Sequence, residues 1–252
     1  MAARTLLKIK SFGKTLFKNI PFQRVHIGTY IRHLYFWRIV ADLPTNSCTT
    51  ALDAGCGTGN LAIAFAQQFP NMKIYGIDIK KPKINQELPT NCILFQGDLL
   101  CWNQPEEYDF IWCIDVLEHI RDSQAVVAKL CRSLREGGYF YLHTPYDVPG
   151  KRIFPEKWFS RFNNWSKHEH IGKQQTLDEY VAIFENLGLS VLSRTWSFGY
   201  WGELSWEIDQ LTSRIPLLRN ALMPVLKIMA HLALRYPGSE RRGNVLVLAR
   251  KH

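Results

Sequence analysis

Alternating glycines give this sequence its clearest chemical feature. Residues 52–59 read Leu-Asp-Ala-Gly-Cys-Gly-Thr-Gly, so Gly55, Gly57 and Gly59 directly follow a short apolar run. Glycine allows the backbone to approach a ligand without a Cβ clash. Amides at the start of a following helix can donate hydrogen bonds to a carboxylate or phosphate. The segment therefore predicts a binding turn for a small ligand that carries polar groups.

Acidic residues accompany this turn and end the apolar runs that follow it. Asp53 precedes the glycines, Asp78 ends the run at 72–78, and Asp98 lies in Gln96-Gly97-Asp98. Asp115 ends the apolar run at 109–114. A carboxylate at the end of the second strand can accept hydrogen bonds from both hydroxyls of a ribose. These acids are therefore candidate ligand contacts.

Histidines supply the candidate proton acceptors. His119 follows the run at 109–114, and His168 and His170 lie in a stretch rich in aromatic residues. An imidazole can take a proton near neutral pH. His143 lies inside a predicted strand, where packing is the simpler role, and capping or loop hydrogen bonds remain open for the other three. The two-residue spacing of His168 and His170 suits a strand or loop, and we predict no metal site.

Alternating apolar patterns predict the elements that position these residues. The predicted strands are 49–54, 72–78, 91–96, 109–114, 139–144, 189–195 and 244–249. The predicted helices are 4–18, 24–41, 59–69, 81–88, 121–135, 177–187 and a long insertion at 203–235. Gly137-Gly138 is predicted to cap the helix at 121–135, and the stretch from 145 to about 175 to be irregular. Strands that alternate with helices indicate a mostly parallel sheet with helices on both faces.

The glycine turn and its acids resemble the cofactor motifs of class I S-adenosylmethionine (SAM)-dependent methyltransferases. The spacing is G-x-G-x-G, and Asn60 stands where the dinucleotide fingerprint G-x-G-x-x-G has its third glycine. The segments 108–120 and 134–138 resemble later motifs of the same family. The resemblance covers about residues 49–145 and, more weakly, 175–195 and the last strand.

The resemblance implies a Rossmann-like, doubly wound α/β fold with N-terminal helices and a helical insertion before the last strand. It implies SAM as the cofactor, with Asp78 on the ribose and Asp98 on the adenine amino group. The implied cofactor contacts are Asp53, Gly55, Gly57, Gly59, Asp78, Asp98 and Asp115. The expected catalytic residues are His119, His168 and His170. We expect a basic helical arm at 1–45 and a methyltransferase domain at 46–252, with a lid at 145–175 and an insertion at 199–240.

Positive charge is concentrated at the N-terminus. Residues 1–41 contain eight basic residues and no acid, so eight of the nine net positive charges lie there. Three interpretations remain open: ordinary helices, a segment that binds an anionic membrane surface, or a mitochondrial transit peptide. No apolar run reaches about 18 residues, so we expect no transmembrane helix. The six cysteines form no CxxC pair and are expected to be reduced.

Composition and pattern favour a small, apolar acceptor of lipid or quinone type. Hydrophobic residues make up 46% of the chain, which predicts a packed core. The stretch 145–175 is rich in aromatic and basic residues, and the insertion is rich in apolar ones. We expect a cytoplasmic protein, with peripheral membrane attachment as an option and no nucleic-acid partner. The alternatives are a nucleic-acid methyltransferase, a nicotinamide-dependent oxidoreductase and a non-catalytic scaffold.

Overall fold

Seven strands form one sheet in the computed structural model, which describes residues 26–84 and 87–252. The strands are β1 (Thr50–Ala54), β2 (Lys73–Asp78), β3 (Cys92–Gln96), β4 (Tyr108–Ile114), β5 (Leu134–Thr144), β6 (Leu189–Ser197) and β7 (Asn244–Lys251). The helices are α1 (Ile27–Val40), α2 (Asn60–Gln68), α3 (Ser123–Ser133), α4 (Ser160–Glu169), α5 (Leu177–Asn186), α6 (Gly199–Thr212) and α7 (Pro216–Arg235). Short 3₁₀ turns cover Thr45–Ser47, Leu99–Cys101, Leu117–His119 and Glu156–Phe159.

The strand order is β3-β2-β1-β4-β5-β7-β6. Strands β1 to β5 pair in parallel, and β7 runs antiparallel to both of its neighbours, β5 and β6. The predicted fold class is therefore confirmed. The order reverses between β1 and β4, and ligands of such sheets bind at the carboxyl ends of the strands beside this point.

Helix α1 packs into the core on one face of the sheet. Phe36 is fully buried, and its ring lies 5.8 Å from that of Phe65 and 5.3 Å from those of Trp112 and Tyr141. The predicted helix at 24–41 is thus present as α1, and its apolar side chains extend the core beyond the sheet. The helix predicted at 4–18 lies outside the described residues.

Helix α6 connects three parts of the molecule through buried carboxylates. Asp209 accepts a hydrogen bond from the backbone N–H of Ile27 at 3.1 Å and pairs with Arg219 of α7 at 2.5 Å. Glu207 accepts hydrogen bonds from the backbone N–H groups of Ile153 and Phe154, both at 2.8 Å. Buried carboxylates need such partners, so α6 fixes α1, α7 and the loop after β5 relative to one another.

Three local predictions were wrong. No helix forms at 81–84 or 87–88, because Pro82 and Pro89 bracket a lysine-rich segment with little apolar surface to bury. The helix predicted at 121–135 ends at Ser133, and Gly137-Gly138 lies inside β5 where its register with β4 shifts. The stretch predicted as irregular contains α4. The predicted helical insertion is present, and it consists of two helices because Pro216 begins a new one.

Two further features qualify the sequence-based expectations. By length and composition alone, α7 is one helix of the described chain that could cross a membrane. The search for an uninterrupted apolar run missed it, because Arg219 and Lys227 interrupt the pattern. All six cysteines are free, and Cys101 is exposed.

We expect that Phe36→Ala lowers the free energy of unfolding by about 3–5 kcal/mol, because it empties a site enclosed by four aromatic rings. Urea unfolding of the full chain measures this. Arg38→Ala, at an exposed position of the same helix, is the control and should change the value by less than about 0.5 kcal/mol. Equal small effects of both variants would show that α1 is not part of the cooperative fold.

Candidate active site

The glycine turn connects β1 to α2 in a backbone form that requires glycine. Gly55, Gly57 and Gly59 have φ angles of 82°, 55° and 78°. A Cβ at Gly55 would lie 2.2 Å from Val116, and one at Gly59 would lie 2.2 Å from Leu94. A Cβ at Gly57 would meet nothing within 4 Å. Two of the glycines are thus needed for packing, and the space beside Gly57 is open to a ligand.

Asp78 is positioned by this turn at the end of β2. Its Oδ2 accepts the N–H of Gly57 at 2.8 Å, and its Oδ1 accepts the N–H of Lys80 at 2.9 Å. Each carboxylate oxygen can accept a second hydrogen bond. Asp78 can therefore hold the turn and still bind two ribose hydroxyls, which fits the expected cofactor.

Two exposed apolar residues follow the acids at this edge of the sheet. Ile79 follows Asp78 and is 64% exposed, and Leu100 lies two residues after Asp98 and is 39% exposed. Asp98 also caps its own 3₁₀ turn by accepting the N–H of Leu100 at 2.8 Å. Because β2 and β3 are neighbours, these apolar side chains can cover a flat ring such as adenine. The sequence analysis missed both; an apolar residue close after each acid was the available signal.

Asp53 is nearly fully buried on β1. Burial raises the pKa of Asp53 to about 8, so it retains its proton near neutral pH. A neutral carboxyl in this position packs beneath the cofactor turn without the cost of an unpaired buried charge. Its direct contact with the cofactor stays a prediction.

Asp115 lies at the carboxyl end of β4 with a φ of 52°. It pairs with Arg32 of α1, and it accepts a hydrogen bond from His143 Nδ1 at 2.7 Å. His143 Nε2 lies 2.8 Å from Ser197 Oγ on β6. Burial opposes the charge of Asp115, yet Arg32 and His143 hold its pKa below the usual range. His143 is thus a packed strand residue, as expected, and Asp115 joins α1 to the sheet.

A cavity of about 420 Å³ lies beside Asp115. Its walls come from α1, α4, α6 and the loops after β4 and β5. The lining residues are His26, Thr29, Arg32, Asp115, Glu118, His119, Pro145, Asp147, Lys151, Arg152, Phe162, Trp165, His170, Phe198, Glu203, Trp206, Gln210 and Asn244. A space of this size accommodates a small organic molecule. The cavity opens at the carboxyl ends of the strands, where the sheet topology places the cofactor.

His119 and His170 meet at this cavity, and His168 does not. The ring centroids of His119 and His170 lie 5.1 Å apart. His168 is exposed on α4 and does not line the cavity. His119 Nδ1 lies 3.0 Å from the carbonyl oxygen of Glu169, which can only accept. In neutral His119 the proton is therefore on Nδ1, and Nε2 keeps the lone pair that a base requires.

Glu118 adds a third polar group to the histidine pair. Burial, with the charge of Asp115 second, raises the pKa of Glu118 well above its usual value. One ligand atom each from Glu118, His119 and His170 lies within 4.8 Å of the others. The three could hold a metal ion, whereas sequence spacing had suggested none, because the fold brings His170 to His119 from a distant segment.

Comparisons with known proteins agree with this geometry. The family model described as "Methyltransferase domain" matches residues 27–194. The chain belongs to the class I SAM-dependent methyltransferases. This membership sets aside the nicotinamide-dependent oxidoreductase, and SAM is the cofactor.

The relatives of this methyltransferase act on different acceptors. Trans-aconitate 2-methyltransferase of Azoarcus sp. (strain BH72) is 28% identical over 49% of this chain and 51% of its own length. A ubiquinone biosynthesis O-methyltransferase of Pseudomonas fluorescens (strain Pf0-1) is 30% identical over 41% of this chain and 47% of its own. The chain thus spans about half the length of these relatives.

Solved structures show the same fold. Phosphoethanolamine N-methyltransferase 2 of Haemonchus contortus, in complex with SAM, has a TM-score of 0.58 at 15% identity, over 92% of this chain and 58% of that one. Magnesium protoporphyrin IX methyltransferase of Synechocystis PCC 6803 has a TM-score of 0.53 at 16% identity, over 91% of this chain and 85% of that one.

We expect that Asp78→Ala weakens binding of S-adenosylhomocysteine (SAH) at least about a hundredfold. The variant loses two hydrogen bonds from ribose to a charged acceptor, each worth about 1.5–3 kcal/mol. Calorimetric titration of the purified protein with SAH measures this. Gly57→Leu should weaken binding similarly, because its side chain enters the open space beside the turn.

Asp178→Ala is the matched control, since its carboxylate is 87% exposed on α5. It should bind SAH like the wild type, and NADH should bind none of these proteins. A folded Asp78→Ala protein with unchanged SAH affinity would refute the assignment of the ribose site.

Proposed function

We propose that this methyltransferase transfers a methyl group to a hydroxyl oxygen of a small, uncharged acceptor with a ring or lipid-like body. The observation that carries the proposal is the hydrogen-bonded state of His119 at the cavity. The Glu169 carbonyl keeps the proton of neutral His119 on Nδ1, which leaves Nε2 able to accept one. A hydroxyl is the acceptor type that needs such a base.

The charges of the cavity favour an uncharged acceptor. Lys151 and Arg152 both pair with Glu203, at 3.3 Å and 3.7 Å. Arg32 pairs with Asp115. Because these cations already face carboxylates, a polycarboxylate acceptor would gain little from them and would lose its hydration on entry. An acceptor like that in the name of the trans-aconitate relative is therefore disfavoured.

The walls favour an acceptor with an apolar or aromatic body. Phe162, Trp165, Phe198 and Trp206 line the cavity. The guanidinium of Arg152 lies 4.4 Å from the centre of the Trp206 ring, which holds that ring in place. These aromatic side chains can pack against a ring that carries a hydroxyl, and the polar groups between them can orient it. The quinone-type relatives support the same class.

The residues of this chain have separate tasks in such a transfer. When bound, SAM supplies a methyl group on a sulfonium sulfur, and its transfer to a hydroxyl leaves SAH, the methylated product and one proton. His119 Nε2 accepts that proton. Arg32, paired with Asp115, fixes α1 beside the cavity and limits access of water. His170 packs against the edge of His119, and burial followed by this neighbour lowers the pKa of His170.

The same features disfavour a nucleic-acid acceptor. The cavity has walls from three helices and paired charges, whereas a strand of nucleic acid needs a long groove of unpaired basic residues. We also propose that the protein is cytoplasmic and attaches peripherally to a membrane, because a lipid-like acceptor would be located in the membrane.

We expect that His119→Gln lowers kcat by about 10²–10⁴-fold with little change in KM, because the glutamine cannot take the proton. Turnover is followed by transfer of labelled methyl from SAM to a panel of phenols, amines and carboxylates. His168→Gln, at the exposed histidine two residues before His170, is the control and should retain wild-type turnover.

A preference for amines or carboxylates in that panel would contradict the proposal, as would equal losses in the two variants. Chelation separates the base role of His119 from metal ligation. Loss of activity with a chelator and its return with Zn²⁺ would assign Glu118, His119 and His170 to a metal ion instead.

A further inference from the structure

We infer that the outer face of α7 docks on the surface of an anionic lipid bilayer, with the helix parallel to the membrane. The outer face is defined by Leu217, Ala221, Pro224, Val225 and Ile228. The inference rests on the membrane attachment in the proposed function but not on the acceptor chemistry. It identifies which surface makes the attachment.

Exposed apolar side chains recur along one side of α7. Leu217, Val225 and Ile228 are 85%, 53% and 62% exposed. Their spacing places them on one helical stripe. A surface helix of a soluble domain normally carries charged or polar residues there, and a contiguous exposed apolar patch marks an interaction site.

The opposite face of α7 is fixed in the domain. Leu226, Met229, Ala230 and Ala233 are buried. The hydroxyl of Tyr35 on α1 donates to the carbonyl of Ala233 at 2.7 Å. Spanning a membrane would require α7 to leave these contacts and the Asp209–Arg219 pair. A helix held in this way can lie in the interface but not cross it.

The charged side chains of α7 and of the residues beside it in the chain are all basic. Residues 213–239 contain no acid, and their basic residues are Arg214, Arg219, Lys227 and Arg235. Arg214 and Arg235 are exposed near the two ends of α7. Basic residues beside an apolar helical face are typical of segments that bind anionic lipids.

The sequence before the described residues is also basic. Residues 1–25 carry six basic residues and no acid. They lead into α1 at Ile27, whose N–H binds Asp209, and the same carboxylate binds Arg219 of α7. The described chain therefore begins beside the first turns of α7, and the positive charge of the sequence before it favours an anionic partner.

A second copy of this chain is the less favourable occupant. Pairing two outer faces would bring residues 213–239 of both copies together, and these residues include basic side chains and no acid. Like charges across an interface oppose association. An anionic bilayer offers apolar contact and opposite charge together.

The test is sedimentation of the full-length protein with phosphatidylcholine vesicles, with and without phosphatidylglycerol. The wild type should bind the anionic vesicles, and high salt should weaken binding. Leu217→Glu/Ile228→Glu should bind them at least about tenfold more weakly, because two charges enter the apolar face. Leu192→Glu, at a 50% exposed apolar residue of β6, is the matched control and should bind within about twofold of the wild type.

Readouts without lipid keep the result separable from folding and from catalysis. All variants should bind SAH and methylate a water-soluble acceptor at the wild-type rate. If turnover fails while vesicle binding follows the expected pattern, the proposed function is contradicted and the inference about this surface stands. Equal binding to neutral and anionic vesicles, no binding, or wild-type binding by Leu217→Glu/Ile228→Glu would overturn the inference. If the wild type forms a dimer without lipid and Leu217→Glu/Ile228→Glu is monomeric, the outer face binds a second copy of the chain. That result would also overturn the inference.

Discussion

A buried carboxylate, Asp209, holds together the parts of the molecule that the sheet alone would leave independent. It accepts the N–H at the start of α1, and it pairs with Arg219 of α7. Removing one partner of such a buried pair leaves an uncompensated charge, which costs about 3–5 kcal/mol. The wall that α1 adds to the cavity and the orientation of α7 both depend on this interaction. The site therefore depends on an ion pair in the insertion as well as on the sheet that the family shares.

The cofactor side of the site depends on topology. Parallel strands bring the turn after β1, Asp78 after β2 and Asp98 after β3 to one edge of the sheet. The side chain of Asp78 also binds the backbone of Gly57, so the ligand-binding acid stabilises the ligand-binding turn. The acceptor side has no such rule. Its walls come from α1, α4 and α6, which belong to segments outside the central strands.

This difference explains what the sequence could predict. Strand positions and the glycine turn were predictable, because period-two apolar patterns and glycine spacing report local physics. The sequence did not predict that His119 and His170 lie together at the cavity, or that His168 lies outside it. These placements depend on α4, which was predicted as irregular because its half-exposed aromatic residues give no clear apolar stripe. The helix predicted at 81–88 is the converse case. Its described residues, 81–84 and 87–88, form no helix because the segment has too little apolar surface to bury.

The buried acids of α6 separate this methyltransferase from a minimal member of its fold. Glu203 pairs with both Lys151 and Arg152 inside the cavity, and Glu207 binds the backbone of the loop that carries them. Because these residues are one turn apart on α6, one side of a single helix sets the charge of the cavity and holds its wall. Two residues later, Asp209 sets the position of α7. The insertion between β6 and β7 thus links the polarity of the acceptor cavity to the orientation of the apolar outer face. A change in α6 that altered the polarity of the cavity would also disturb the orientation of the outer face. This coupling accounts for the three carboxylates that remain buried in α6, where apolar residues would be simpler to pack.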